Sequence, residues 1–166
     1  GKINMDNLVT CINDLANNIG NLSNRIFTIL SKNYDCMVPE LSNNYTINSN
    51  LIIDIKKFIN LINNFELHNY TEEIHSYSTL VNKYVNDNEP WNKKNNSEQN
   101  IKNILNSSLL ALKNIFILLY PIMPSISSNF LKNLSIDEKN IILDNINKKL
   151  SSGIKLTKPN ILFKKH

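Results

Sequence analysis

Glycine is scarce in this sequence: three glycines and five prolines among 166 residues. That is too few for the corners of a many-stranded β fold, which needs flexible turns at each reversal. Cysteine is scarcer still. Cys11 and Cys36 stand far apart, with no CxxC, no Cys/His cluster and no even ladder of cysteines. Neither a zinc site nor a disulfide scaffold is therefore indicated. Long apolar runs are missing too: the longest, Leu109–Pro121, is interrupted by Lys113 and Asn114 and is too short to span a bilayer. The opening residues lack the pattern of a secretory signal, and with the unladdered cysteines this gives an expectation of the cytoplasm; an organelle is compatible with the same composition. There is no glycine-rich phosphate loop and no HExxH. The histidines are His68, His75 and His166; His75 lies one helical step from Glu72, a surface pairing, and no serine or cysteine stands near a plausible catalytic base in sequence. Glu72-Glu73 and Asp137-Glu138 are accounted for by helix starts. No catalytic residue and no metal ligand is expected.

What the sequence does contain is helical periodicity. The hydrophobic fraction of 42% suits one folded domain over residues 1–166. The net charge of +4 hints at an anionic partner, although lysine rises together with asparagine and isoleucine across the whole chain. A first helix is expected over about Asn7–Ser31, with Leu8, Cys11, Ile12, Leu15, Ile19, Leu22, Ile26 and Leu30 on one stripe. Gly20 in its middle costs about 1 kcal/mol of helix propensity against alanine, which suggests that another backbone comes close there. Lys32–Asn50 reads as a connection. A second helix, about Ser49–Phe65, turns Ile52, Ile55, Phe58, Ile59, Ile62 and Phe65 inward. A third, about Thr71–Val85, buries Tyr70, Ile74, Tyr77, Val81 and Tyr84. Ser97 caps a fourth that runs to Tyr120, apolar on nearly every side and ended by Pro121. Pro124 opens a short helix to Leu134. Ser135 and Glu138 form a capping-box pattern for a last helix over about Ile136–Leu150. Gly153 marks its exit into an extended tail, in which Ile161, Leu162 and Phe163 are expected to dock back. The expected fold is all-α, an antiparallel bundle of about five helices with an extended C-terminal tail.

Two features are not explained by packing alone. In Leu15–Phe27 the face opposite the apolar stripe carries Asn17, Asn18, Asn21, Asn24, Arg25 and Thr28. Asn21 and Arg25, four residues apart, project together. Such a face is either solvated or able to read a polar, planar partner. The second feature is the only tryptophan, Trp91, in the polar stretch Asn88-Glu89-Pro90-Trp91-Asn92-Lys93-Lys94. It either plugs the end of the bundle or offers a stacking platform for a base, with lysines nearby for phosphate.

Several segments resemble one family, the C-terminal anticodon-binding domain of methionyl-tRNA synthetase, a class I aminoacyl-tRNA synthetase. Leu15-Ala16-Asn17-Asn18-Ile19-Gly20-Asn21-Leu22-Ser23-Asn24-Arg25 resembles its "D/N-LANxxGNLxxR" helix. Val81-Asn82-Lys83-Tyr84-Val85 followed by Glu89-Pro90-Trp91 resembles "NxYI…PW". Leu119-Tyr120-Pro121-Ile122-Met123-Pro124 resembles "LxPfxP", and Lys158-Pro159-Asn160-Ile161-Leu162-Phe163 resembles "kPxPLF". The ending departs from the family at Lys164-Lys165, where Pro-Arg is common. The resemblance implies that Asn21 and Arg25 contact the first anticodon base, the cytosine of CAU, that Trp91 stacks on the anticodon, and that Pro90 shapes its loop. It implies the methionine tRNA anticodon loop and the catalytic domain of the parent chain as partners, and no membrane. HIGH-like and KMSKS-like motifs are absent, so this reads as an excised domain without its own cofactor, ATP and methionine being used by the catalytic portion. The corresponding domain of a cysteine, leucine, isoleucine or valine enzyme is the nearest alternative, against which Pro90-Trp91 speaks. A helical protein-interaction domain is the other.

Overall fold

In the computed structural model, which describes residues 5–160, the chain is arranged around one buried rod, α4 (Glu98–Leu119). Nearly every α4 position is buried, as its all-round apolar sequence requires. Ser97 opens it, its hydroxyl accepting from the Asn100 N–H at 3.1 Å, the cap expected from sequence. By length and composition α4 is apolar enough to cross a bilayer, yet 94% of its most apolar stretch is buried inside the fold. Around it lie α1 (Met5–Asn33), α2 (Ile55–Asn63), α3 (Leu67–Asn88) and α5 (Pro124–Asn133). Phe130 of α5 stacks on Phe116 of α4, centroids 3.8 Å apart, and meets Phe27 of α1 edge-on at 6.3 Å. These are the five helices of an all-α bundle. The only β pairing among the described residues is an isolated antiparallel bridge between Met37 and Lys155.

The helices do not all alternate in direction. α3 and α4 run antiparallel across the short loop that joins them, with the Tyr70 hydroxyl donating to the Leu118 carbonyl and Asn114 Nδ2 donating to the Tyr77 hydroxyl at 3.2 Å. α1 and α3, by contrast, run the same way. Asn18 Nδ2 donates to Ser78 Oγ and Thr79 Oγ1 at 3.2 and 3.1 Å, and Arg25 reaches Asn86 one full heptad further along both helices. Parallel neighbours need a long return, which residues 34–54 provide. The return is tied to α4 by Asn106 Nδ2 donating to the Pro39 carbonyl at 2.7 Å. It is tied to the C-terminal segment by backbone bonds from Val38 to Ile154 (2.9 Å) and from Leu156 to Cys36 (2.7 Å).

Some polar groups inside the bundle are paired across elements, whereas among the described residues Asn106 Oδ1 and Ser127 Oγ are buried without a hydrogen-bond partner. Asn114, fully buried, accepts from the Asn147 N–H at 2.8 Å, and Asn147 in turn exchanges two bonds with the backbone of Ile53, at 2.8 and 2.9 Å. Tyr77 donates to the Leu51 carbonyl at 2.7 Å. One small network thus fastens α3, α4, the return segment and the C-terminal wrap. Lys113, also on α4, is buried and donates to the Lys148 carbonyl. Burial first, and the charge of Lys148 second, push its ammonium down to about 8.

Four sequence expectations need correction. Residues 136–150 do not form a helix; two single 3-10 turns, Glu138–Asn140 and Leu143–Asn145, stand there instead. Ser135 has φ +63 and is no N-cap; the run has too little apolar surface on one stripe to hold a helix, and it wraps the bundle through Ile146 and Leu150 instead. The second helix is shorter than expected, Ser49–Leu51 being a separate 3-10 turn. Its inward face keeps Phe58 buried, with Ile55 and Ile62 partly buried against the core, while Phe65 (84% exposed), Ile52 and Ile59 face solvent. Gly20 admits no close backbone: a Cβ there would meet nothing within 4 Å. Cys11 is only half-buried, because it lines an open groove between α1 and α3 together with His68, Glu72 and His75. The docking expected of Ile161, Leu162 and Phe163 lies outside the described residues.

The buried amide and the buried ammonium each have a measurable consequence. Asn114→Ala leaves the Asn147 N–H unpaired and should lower stability by about 2–3 kcal/mol, read from urea denaturation. Lys113 titrates near 8 in the fold and near its ordinary 10.5 when unfolded, so between these values the unfolded chain binds more protons. Stability should therefore rise from about pH 8 to about 10 through this group, a rise that Lys113→Met removes. Above that, Tyr70, Tyr77 and Tyr84, whose hydroxyls are raised by burial, turn the trend downward.

Candidate functional site

The ends of α1 and α3 that travel together meet the loop joining α3 to α4, and the residues singled out from sequence converge there. Ile19, Leu22, Ser23, Ile26 and Phe27 are buried and fix the rotation of α1. That rotation leaves Asn21 exposed and Arg25 half-buried one turn on, on a shared face. Arg25 Nη2 donates to Asn86 Oδ1 at 2.7 Å. Its guanidinium carbon lies 4.9 Å from the centre of the Trp91 ring, within the range of a cation–π contact. No carboxylate pairs with Arg25 among the described residues, so its charge is steered by a neutral amide and an aromatic face rather than cancelled.

Trp91 is 48% exposed. Its ring is therefore not sunk in the end of the bundle; part of its surface is open. Pro90 beside it is buried, anchoring the loop where Trp91 emerges. α3 closes just before this point with Glu89 in the left-handed region, φ +46, its N–H donating to the Val85 carbonyl. Two asparagines then hold the loop. Asn92 Oδ1 accepts from the N–H groups of Lys94 and Asn95, at 3.1 and 3.3 Å. Asn96 Nδ2 donates to the carbonyls of Asn88, Glu89 and Asn92, between 2.9 and 3.2 Å. Lys93 and Lys94 remain exposed. An aromatic half-face, a forked cation, an exposed amide and two lysine ammoniums are thus presented on a rigid frame. The set suits a planar, polar, anionic partner better than chemistry on a bond.

Asn86 carries no signal in the sequence. Nothing in its local context marks it, because its role comes only from the parallel register of α1 and α3. The motif residues Asn18 and Asn82 turn out to set that register: Asn82 Nδ2 donates to the carbonyls of Asn18 and Ser78 at 3.4 and 3.1 Å. Asn24 is exposed and faces away from the bundle. His68 and His75 stand elsewhere, His68 beside Glu72 at 3.2 Å and His75 near Asn18.

A family profile described as "Anticodon binding domain of methionyl tRNA ligase" matches residues 38–166. The methionine–tRNA ligase of Borreliella burgdorferi is 31% identical over 114 residues, covering 69% of this chain and 16% of that protein. That of Rickettsia prowazekii is 29% identical over 173 aligned positions, covering 96% of this chain and 34% of its own. The chain thus spans between about a sixth and a third of the curated relatives it matches. Among solved structures, apo methionyl-tRNA synthetase of Mycobacterium tuberculosis superposes with a TM-score of 0.83 at 22% identity, over 95% of this chain and 34% of that one, which establishes the fold.

Because Trp91 is the sole tryptophan, its emission reports on the guanidinium above it. Arg25→Met should shift the emission while changing stability by no more than about 1 kcal/mol. An unchanged spectrum means that the contact is not held in solution.

Proposed function

Since the chain belongs to the family of anticodon-binding domains of methionyl-tRNA ligases, we propose that it recognises the anticodon loop of methionine tRNA through Asn21, Arg25, Pro90 and Trp91. The observation that supports this most directly is the Arg25–Trp91 pair. Residues far apart in sequence, each read from its own context as suited to a base, stand 4.9 Å apart at one end of the bundle.

The proposed mechanism is recognition by splayed bases. The first anticodon base, cytosine, stacks on Trp91. A cytosine presents an amino donor beside two acceptors, N3 and O2. Asn21 offers both a donor and an acceptor, and Arg25 offers only donors, in a fork. Together they complement cytosine and leave uracil, whose N3–H is a donor, poorly matched. Asn86 acts on Arg25: by accepting from one arm of the fork it fixes the direction of the other. Lys93 and Lys94 lie where backbone phosphates pass. Pro90 keeps Trp91 at the loop surface, since proline limits the backbone to one φ.

In this reading the chain carries no chemistry and needs no cofactor. ATP and methionine are handled by the catalytic portion of the parent enzyme, in the cytoplasm, and anticodon docking here orients the acceptor end toward that portion. Methionine–tRNA ligase activity is proposed for the parent and not for the chain alone.

Filter binding of the 166-residue chain to synthetic anticodon stem-loops tests the proposal. A CAU loop should bind more tightly than a GAU loop, with affinity falling steeply as salt rises. Equal binding of the two at moderate salt defeats the specificity. Trp91→Ala should weaken CAU binding by about 1–3 kcal/mol with helicity by circular dichroism unchanged; a variant that loses helicity would make Trp91 a structural plug.

A further inference from the structure

Lys113 is the only lysine, arginine, aspartate or glutamate that is buried among the described residues. It stands on α4 and donates to the carbonyl of Lys148, in the C-terminal wrap. An ammonium has three N–H donors and no acceptor, so one carbonyl leaves most of its hydrogen-bonding capacity unmet. No carboxylate pairs with it among the described residues. The charge that does act on it, Lys148, has the same sign. The other elements offer no relief. The buried faces of α1, α2 and α5 carry no titratable side chain, and α3 brings only the phenols of Tyr70, Tyr77 and Tyr84. One turn away on α4 are Leu109, Leu110, Phe116 and Ile117. The return segment buries only Val38, Pro39, Leu51 and Ile53, and in the wrap Asp144 and Lys149 are exposed.

Residues 141–150 of the wrap are held at few points. Ile146 and Leu150 are its buried anchors. Between them Asn147, at φ +68, gives its N–H to Asn114 Oδ1 and exchanges two bonds with Ile53. Lys113 and Asn114, adjacent on α4, thus hold Lys148 and Asn147, adjacent on the wrap. Apart from the 3-10 turn Leu143–Asn145, this stretch has no regular structure. At its leading end Ile141 and Leu143 form one wall of an apolar groove of about 260 Å³, opposite Ile59, Ile62 and Leu118.

We infer that residues 141–150 are a proton-sensitive strap: while Lys113 is charged the strap lifts from α4 and lets water reach the ammonium, and once Lys113 is neutral the strap stays seated. The driving force is an uncompensated buried charge. Seated, the cation has one carbonyl and a like-charged neighbour; lifted, it is hydrated. A neutral amine gains little by leaving, since it still donates to the same carbonyl. The seated state holds the proton less tightly, Lys113 titrating near 8 there against its ordinary 10.5. Lifting is therefore favoured as the pH falls from about 10 to about 8, and the effect levels off below that. Each lift carries Ile141 and Leu143 away from the groove, so proton activity sets how often this apolar surface opens.

Hydrogen exchange of the 166-residue chain, read by mass spectrometry and corrected for the intrinsic pH dependence of amide exchange, tests the strap. Amides of 141–150 should exchange faster than those of the α1–α3 seam, which open with the whole fold. Their opening should fall about tenfold between pH 7 and pH 9. In Lys113→Met, which fills similar space without a charge, strap opening should be low and flat over that range. Lys148→Ala changes an exposed side chain and keeps the carbonyl, and should move the midpoint to higher pH. Strap opening that ignores pH in the wild-type chain, or follows it equally in Lys113→Met, overturns the inference. A midpoint that Lys148→Ala leaves in place does the same, because the titrating group then does not face Lys148. Strap amides that exchange no faster than the seam overturn it as well, since the wrap then opens only with the whole fold.

Discussion

The site depends on the parallel register of α1 and α3. Both helices progress from the same end, and the amide bonds of Asn18 and Asn82 lock them at one offset. Under that offset Arg25 faces Asn86, and the chain leaving α3 a few residues later delivers Trp91 onto the guanidinium. A slip of one helical turn is about 5.4 Å, more than the 4.9 Å that separates cation from ring, and would dissolve the pair. Apolar stripes alone tolerate such slips, since one leucine packs much like another. Amide-to-hydroxyl bonds do not, which accounts for a polar clamp between two otherwise greasy faces.

A parallel pair also dictates the rest of the topology. The chain must travel back the length of α1 before α3 can start, and that return has little helix of its own. It is stabilised from outside, by Asn106, Asn103 and Asn147, whose side chains satisfy backbone groups of the return that no ladder serves. Buried amides here replace regular secondary structure. They explain why α4 carries Asn103, Asn106 and Asn114 inside an apolar rod: each would be costly unpaired, and each has a partner in a neighbouring segment.

Much of this architecture was legible in the sequence because it is local. The stripes of α1 and α3, the Ser97 cap and the Pro124 start are properties of contiguous residues, and each appears where periodicity and capping place it. The wrap at 136–150 misled because a capping pattern is short-range evidence. Ser135 and Glu138 stand at the right spacing, but the chain beyond them finds more burial by lying extended over α4 through Ile146 and Leu150 than by coiling. The inward set of the second helix failed in part: its period is helical and Phe58 is buried against Tyr70 at 5.6 Å, with Ile55 and Ile62 partly buried on the core, but Ile52, Ile59 and Phe65 are not. At the site, Asn21, Arg25, Pro90 and Trp91 could be picked out individually from residue type and setting. Their proximity could not, and neither could Asn86, since both depend on a register that no single stretch encodes.

That proximity also bears on how the proposed recognition would proceed. With the guanidinium over one face, a base must either use the remaining surface of Trp91 or displace Arg25. An exposed cation–π contact is worth about 0.5–1 kcal/mol, whereas a base stacked on an aromatic ring contributes about 1–3 kcal/mol. Displacement is therefore favourable on these magnitudes, and it does not strand the arginine. Asn86 still holds one arm of the fork, so a guanidinium leaving the ring swings about that bond and not into bulk water. In the free chain, then, Trp91 and Arg25 occupy each other; in the proposed complex the same base that claims the ring finds the released donors at its edge. The pair serves as a pre-formed site whose two parts are kept ordered by contact with one another until a base separates them.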